Sequence, residues 1–465
     1  MGILPEPSLP LPTPTNGSPV TNVAHIRELD HRAFTLDASG FAGFFGGDGA
    51  AESVATVHLV KWRRWLGWYN APGLFEIVRQ YGGLIASKGA SSLFPVIRSI
   101  KSRDPATIFG LDGQHGPRFI ASYAGSEFLG CGHLAHLLAR RVRHSHLVSR
   151  LIVIPNVRRK IPQYNVTTMD LSLELPEPET RPPMLKNKQV FFAILPIIGS
   201  LVATIYCAYI ADWYCCASIA LGAVANGLAC LQLGSGRLTF RHPAPRDGAP
   251  PGDGIFILEG RAGVIVVRGS EGAVSSLTLG QYYLDFPEDP RVRYLLTGIC
   301  MAILVVNCMV QLLFIPQGTL AGQSVFVASL ALSWLYNHVL ALDKEDMQTD
   351  ILLGEVLHLQ EQDVKKFAFG TRTAMVVFTV LSLWPPSPDK LLDALLPNNT
   401  PVWQRWREVL VKQLRAAPFK GLRFDKEHWE IPEFDSSSQK LLHDLFVDAE
   451  EAYGAWCKYG RKPDV

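Results

Sequence analysis

The stretch VFFAILPIIGSLVATIYCAYIADWYCCASIALGAVANGLACLQL (Val190–Leu233) decides the fold. It holds two apolar segments, Val190–Ile210 and Trp213–Leu233, parted only by Ala211 and Asp212. The arrangement recurs at Tyr294–Phe314 and Thr319–Leu340, parted by Ile315–Gly318. Each segment has about 20 residues, and a helix rising ~1.5 Å per residue then covers the ~30 Å hydrocarbon layer of a bilayer. The pattern predicts an α-helical integral membrane protein with two transmembrane hairpins, four spans in all.

The remainder is ordinary soluble-type sequence, enough for packed domains. It divides into a Pro-rich tail (1–25), an α/β domain (26–185), a small β insertion (235–292) between the hairpins (190–233 and 294–340), and a helical region (343–465). The formal net charge of +2 supplies no global field toward nucleic acid. Most cysteines lie in or beside the spans (Cys207, Cys215, Cys216, Cys230, Cys300, Cys308), with only Cys131 and Cys457 elsewhere. That is membrane usage of a small apolar residue and not a disulfide framework. The vicinal Cys215–Cys216 pair is the one acylation or redox candidate. The N-terminus lacks the basic start and apolar core of a signal peptide, and Glu6 stands where a myristoylation motif needs Ser or Thr.

Lys and Arg are absent from both tight turns but frequent before the first span (Arg181, Lys186, Lys188), in the middle loop (Arg237 to Arg293) and after the last span (Lys344, Lys365, Lys366, Arg372). By the positive-inside bias the N-terminal, middle and C-terminal regions are all expected in the cytosol. The sequons at Asn16, Asn165 and Asn398 should then stay unmodified. Thr373–Leu383 is apolar but too short for a comfortable crossing and is stopped by Pro385–Pro386, so it reads as a buried or interfacial helix.

In the soluble parts, Val60–Asn70 interleaves Trp62, Trp65, Trp68 and Tyr69 with Lys61, Arg63 and Arg64. At helical spacing Trp62, Trp65 and Tyr69 share a face, suited to a core or a bilayer interface. Ala106–Gly125 reads as two strands around Asp112–Gly113, Ser126–Val153 as a helix, and the alternation Met169, Leu171, Leu173, Leu175 as a half-buried strand. Ile255–Glu259 and Val264–Arg268 form a hairpin signal, continued by strands at Ala273–Leu279 and Tyr282–Phe286. Thr400–Pro401 starts one C-terminal helix, and Ser436 with Gln439 forms a capping box for another.

Candidate functional residues fall in two sets. Asn226, Asn307, Gln311, Asn337 and His338 are polar positions inside the spans, suited to gluing helices or lining a polar path. Arg140, Arg141, Arg143, Arg150, Arg158, Arg159 and Lys160 lie in a window without acidic residues and are candidates for anionic lipid headgroups or for a solvated face that pairs with the acidic C-terminal helix. Ser218, Gly222, Ala225 and Ala229 permit close helix approach, within the chain or in a homo-oligomer through the transmembrane helices. His133 and His136, near Cys131, have one feature of a metal site and lack the further ligands. No phosphate loop, nucleophile elbow, zinc-protease motif or kinase set is present, so no cofactor or metal is expected.

The stretches RELDHRAFTLD (Arg27–Asp37), IPQYNVTTMDLSL (Ile161–Leu173), EGAVSSLTLGQYYLDF (Glu271–Phe286), GTRTAMVVFTVL (Gly370–Leu381) and LLPNNTPVWQRWREVL (Leu395–Leu410) resemble a family of uncharacterised fungal multi-pass membrane proteins. The resemblance implies a shared membrane layout and transfers no catalytic residue. The reading is a membrane-surface scaffold or interaction protein. A small-solute transporter or channel is the first alternative, and a membrane-bound enzyme with a cytosolic site is the second.

Overall fold

The computed structural model describes residues 47–86, 104–143, 151–156, 161–171, 179–186, 188–244, 248–258, 263–286, 289–351, 354, 357, 364–416 and 421–460. The Pro-rich tail, Leu173 and Leu175 fall outside them. The chain runs α1 (Gly47–Ala55), α2 (Leu74–Ala86), α3 (Pro105–Ile108), β1 (Arg118–Ala121), β2 (Glu127–Phe128), α4 (His133–Arg143), β3 (Leu151–Val153), β4 (Tyr164–Leu171) and β5 (Glu179–Thr180). The first apolar pair follows as α5 (Ile194–Tyr209) and α6 (Trp213–Leu233). Then come β6 (Arg237–Arg241), β7 (Gly254–Leu258), β8 (Gly263–Gly269), α7 (Glu271–Leu279) and β9 (Gln281–Asp285). The second apolar pair is α8 (Pro290–Phe314) and α9 (Leu320–Asp350). The chain ends in β10 (Val364–Phe369), α10 (Arg372–Leu383), α11 (Pro388–Leu395), α12 (Pro401–Leu414), α13 (Lys426–Trp429) and α14 (Ser436–Tyr459).

Four helices are long and apolar enough to cross a bilayer: Val190–Tyr209, Trp213–Leu233, Arg291–Gln317 and Leu320–Asp350. Ile198, Leu201 and Ile205 of α5 and Leu295, Ile299 and Leu313 of α8 point outward and are exposed. The tight turn between α5 and α6 places Ala211 at φ 57°. Asp212 caps α6 by accepting from the Cys215 amide at 3.1 Å. The same carboxylate accepts from the Thr319 amide (2.7 Å) and hydroxyl (2.8 Å), tying the two turns together. Gly322 makes that approach possible, since a Cβ there would lie 2.0 Å from an Asp212 carboxylate oxygen. Cys215 is buried against this carboxylate and Cys216 is half-buried, and both are free thiols.

A seven-stranded mixed sheet of order β2-β1-β7-β8-β4-β10-β3 lies at the opposite end. β4 pairs parallel with β8 (Val166 beside Val264) and antiparallel with β10 (Val166 beside Phe367). These strands come from before α5, between α6 and α8, and after α9, so the three soluble segments sit at one end of the apolar helices. A second sheet of order β5-β6-β9 also joins the first two segments. The small β insertion and the C-terminal region, expected as helical, each donate strands to one shared sheet.

Both faces of that sheet are covered, which explains the unbroken runs GIFIL and VIVV. Ile255, Val264, Val266, Val166, Phe367 and Phe369 pack against α10, α12 and α14. Phe256, Ile265, Val267, Met169 and Leu171 face the other core, which continues through α4 and α7 into the apolar helices. In the described part of the expected alternation Met169 and Leu171 are buried and Asp170 is half-exposed, while Thr167 and Thr168 of the same central strand are buried as well. Helix α10 is buried along Thr373–Leu383, between the sheet and α14, as a short apolar helix rather than a crossing.

Local chemistry accounts for the remaining corrections. Asp104 caps α3, turning the first expected strand of Ala106–Gly125 into a helical turn. The expected helix over Ser126–Val153 is strand, helix, strand. Ser270 accepts from the Ala273 amide, and Ala273–Leu279, expected as a strand, lies in helix α7. The cap of α14 is Asp435, while the Gln439 side-chain amide donates to the carbonyls of Ile431 (2.8 Å) and Phe434 (3.1 Å).

Candidate functional site: polar groups between the apolar helices

Residues 60–73 form no continuous helix. Paired hydrogen bonds, Lys61 amide to Leu185 carbonyl (3.0 Å) and Leu185 amide to Leu59 carbonyl (2.9 Å), fix the segment beside the entrance to α5. Trp62 then takes φ 73°, costly for a bulky side chain at ~1–3 kcal/mol. That twist separates the aromatics. Trp62 and Trp65 point outward, whereas Tyr69 is buried, so the expected shared face is corrected.

Beyond Arg63–Trp65 the backbone is extended and enters the helical bundle. Asn226 donates its amide to the Gly67 carbonyl at 2.7 Å. Gly67 is required there, because a Cβ would lie 2.7 Å from Cys230 Sγ. Asn70 reaches all four apolar helices. Its amide N–H donates to Ser200 Oγ on α5 (3.0 Å). Its Nδ2 donates to Ser329 Oγ on α9 (3.1 Å), and its Oδ1 accepts from Gln311 Nε2 on α8 (3.5 Å). Its Oδ1 also rests on Gly222 of α6, where a Cβ would lie 2.2 Å away. Ser200, Gly222 and Ser329 lie about ten residues from the tight turns, ~15 Å along each helix, so Asn70 sits halfway down the bundle. The chain then returns as α2, whose Tyr81 hydroxyl donates to the Ala229 carbonyl at 2.8 Å. The small residues Ser218, Gly222, Ala225 and Ala229 are all buried inside the chain, where they admit this segment.

A second polar layer lies nearer the sheet. Asn337 Oδ1 accepts from Tyr69 Oη (2.6 Å) and Ser53 Oγ (3.0 Å). Arg63 is fully buried and donates to Tyr69 Oη (2.9 Å), Ser53 Oγ (3.3 Å) and the Leu66 carbonyl (3.4 Å). No carboxylate pairs with it among the described residues. Instead the guanidinium lies over the rings of Tyr69 (5.9 Å) and Tyr336 (5.4 Å).

The polar candidates on the apolar helices thus separate. Asn226, Gln311 and Asn337 converge on the inserted segment. Asn307, one turn before Gln311, is fully buried, and neither amide atom has a partner among the described residues. His338 faces outward and stacks on Trp334 at 5.4 Å. Sequence reasoning missed Arg63, Tyr69 and Asn70. The dense aromatic and cationic composition of Val60–Asn70 marked the place, but nothing local announced that it enters the bundle.

The basic set resolves differently. Arg140 pairs with Glu345 and, at 3.9 Å, with Asp346, while Arg141 pairs with Asp350 at 3.1 Å. These join α4 to the acidic end of α9, so the two cations face carboxylates. Arg143 is exposed. Arg150, Arg158, Arg159 and Lys160 lie outside the described residues. No group of His, Cys, Asp and Glu suited to a metal occurs among the described residues. His133 instead faces Gln348 Oε1 at 3.3 Å through Nε2.

Two outcomes follow from this geometry. Gly222→Ala should drive a methyl into Asn70 and lower the thermal midpoint in detergent, an overpacking cost of about 1–3 kcal/mol; an unchanged midpoint would mean that Asn70 is not seated there. Burial lowers the His133 pKa from 6.5 to about 4, against the hydrogen bond to Gln348 Oε1 and with help from His136 and Lys344. The unfolded chain therefore binds this proton more readily, so stability is intact above pH 6.5 and falls as pH drops toward 4. A melting series over that range should be shallower in His133→Gln by up to about 3 kcal/mol. No protein family, curated protein or solved structure matches the chain.

Proposed function

We propose that this chain is a multi-pass membrane protein that acts as a scaffold or interaction platform at the membrane surface. Its four apolar helices cross the bilayer, and its sheet-bearing mass is held against the cytosolic face. The observation that carries this reading is the use made of the intramembrane polar groups. Asn226, Gln311 and Asn337 are spent on residues 67–70 of the same chain. Hydrogen bonds of this kind contribute about 0.6–2 kcal/mol each in a helix bundle, and they fix the N-terminal segment where a solute path would run. The continuous core from the apolar helices to one sheet face supports the same reading, since it makes the soluble layer rigid relative to the membrane. The Lys and Arg distribution supports the cytosolic placement.

One observation favours the transport alternative. Asn307 keeps both amide groups buried and unpartnered among the described residues, an arrangement that costs ~1–3 kcal/mol unless a polar guest or water fills it. Reconstituted proteoliposomes under a glycerol or urea gradient separate the two readings. A scaffold swells no faster than protein-free vesicles. Faster swelling that is lost in Asn307→Leu would replace the scaffold with a solute pathway.

A further inference from the structure

We infer that the loop Lys61–Trp65, with Lys186 and Lys188, is a binding site for anionic phospholipid headgroups in the leaflet nearest the sheets. This rests on the membrane reading above. Two contacts place the loop at the rim of the bundle. The Val60–Leu185 bridge sets Lys61 beside the residues that lead into α5. At its other end the Arg64 side chain packs on Gly234, at the close of α6, where a Cβ would lie 2.4 Å from Arg64 Cβ. The loop therefore spans the gap between the sheet-side ends of the first two apolar helices.

What it presents there matches a headgroup layer. Trp62 is 57% exposed and Trp65 50% exposed, and Phe191 and Phe192, which lead into α5, also face outward. Lys61 Nζ lies 5.6 Å from the Trp62 ring centre and Arg64 Cζ 5.0 Å from that of Trp65. Amphipathic rings belong at the boundary of hydrocarbon and headgroups, and cations above them meet the phosphates. Lys61, Arg64, Lys186 and Lys188 are exposed, and none is ion-paired among the described residues. Arg140 and Arg141, by contrast, already face carboxylates.

The backbone adds an independent indication. Trp62 holds a left-handed conformation that a bulky residue rarely adopts. The neighbouring Arg63 is turned fully inward onto Ser53, Tyr69 and Leu66. Strain maintained by such an anchor marks a side chain whose position is used, and here the position is at the rim.

Full-length protein in nanodiscs of phosphatidylcholine, with and without phosphatidylserine, tests the assignment through the lipids retained on gentle delipidation. Wild type should retain phosphatidylserine preferentially. Lys61→Ala with Arg64→Ala should weaken that preference by about 30-fold, taking ~1 kcal/mol per cation near an anionic surface and 1.4 kcal/mol per tenfold. Trp62→Gly removes the ring while suiting the left-handed backbone, so it should fold normally and still lose preference. Lys412→Ala with Lys458→Ala, exposed on the helical layer, should change nothing. Equal retention in wild type and both loop variants would overturn the site. Displacement of the lipid by soluble glycerophosphate at equal concentration would overturn the lipid source. Failure of the protein to enter nanodiscs of either composition would instead refute the membrane reading.

Discussion

Strand β4 carries the constraint on which the rest of the molecule depends. It is hydrogen-bonded on one side to β8, from between the two apolar hairpins, and on the other to β10, from after the second. Strands of one sheet must lie side by side, so this pairing brings the described segments that carry them to the same end of the apolar helices. It also requires each helical pair to return to the end it started from. Asp212, which binds Thr319 across the two turns, closes the far end. Two loop closures and one carboxylate thus define the bundle before its interior is considered.

The interior is then solved by importing backbone. Four helices of this length leave polar side chains facing one another with too few partners, and each unsatisfied group is costly away from water. Residues 67–70 supply the missing groups: carbonyls to Asn226, a hydroxyl to Asn337, and an asparagine that meets all four helices. Gly67 and Gly222 are the places where bulk is removed to admit it. Irregular backbone between the apolar helices is tolerated because it is enclosed by protein. Arg63 stops the segment nearer the sheets, its charge spread over two phenol rings and neutral acceptors.

Much of this was legible in the residues. The hairpins announce themselves by hydropathy and by turns of two to four residues, and β7 and β8 by apolar runs around glycine. Thr373–Leu383 was readable as a buried helix from its length and the prolines beyond it. The shared sheet was not legible. Pairing of β4 with β10 joins residues about two hundred positions apart, and local patterning carries no register between such segments. Helix α7 misled because Ala273–Leu279 follows a hairpin signal and reads as its continuation, while the deciding cap at Ser270 is one side chain. The site was half visible: Asn226, Gln311 and Asn337 stood out as polar residues in apolar helices, but their partners lie more than a hundred residues away.

The central claim is that the soluble mass occupies one side of a membrane crossed by four helices. Protease protection of carbonate-washed, sealed vesicles tests it most directly, with epitopes at the N-terminus, at Gly248 and at the C-terminus. The account predicts that the protein stays with the vesicles and that all three epitopes are cut together or protected together. Release by carbonate, or protection of one epitope while the others are removed, would contradict it.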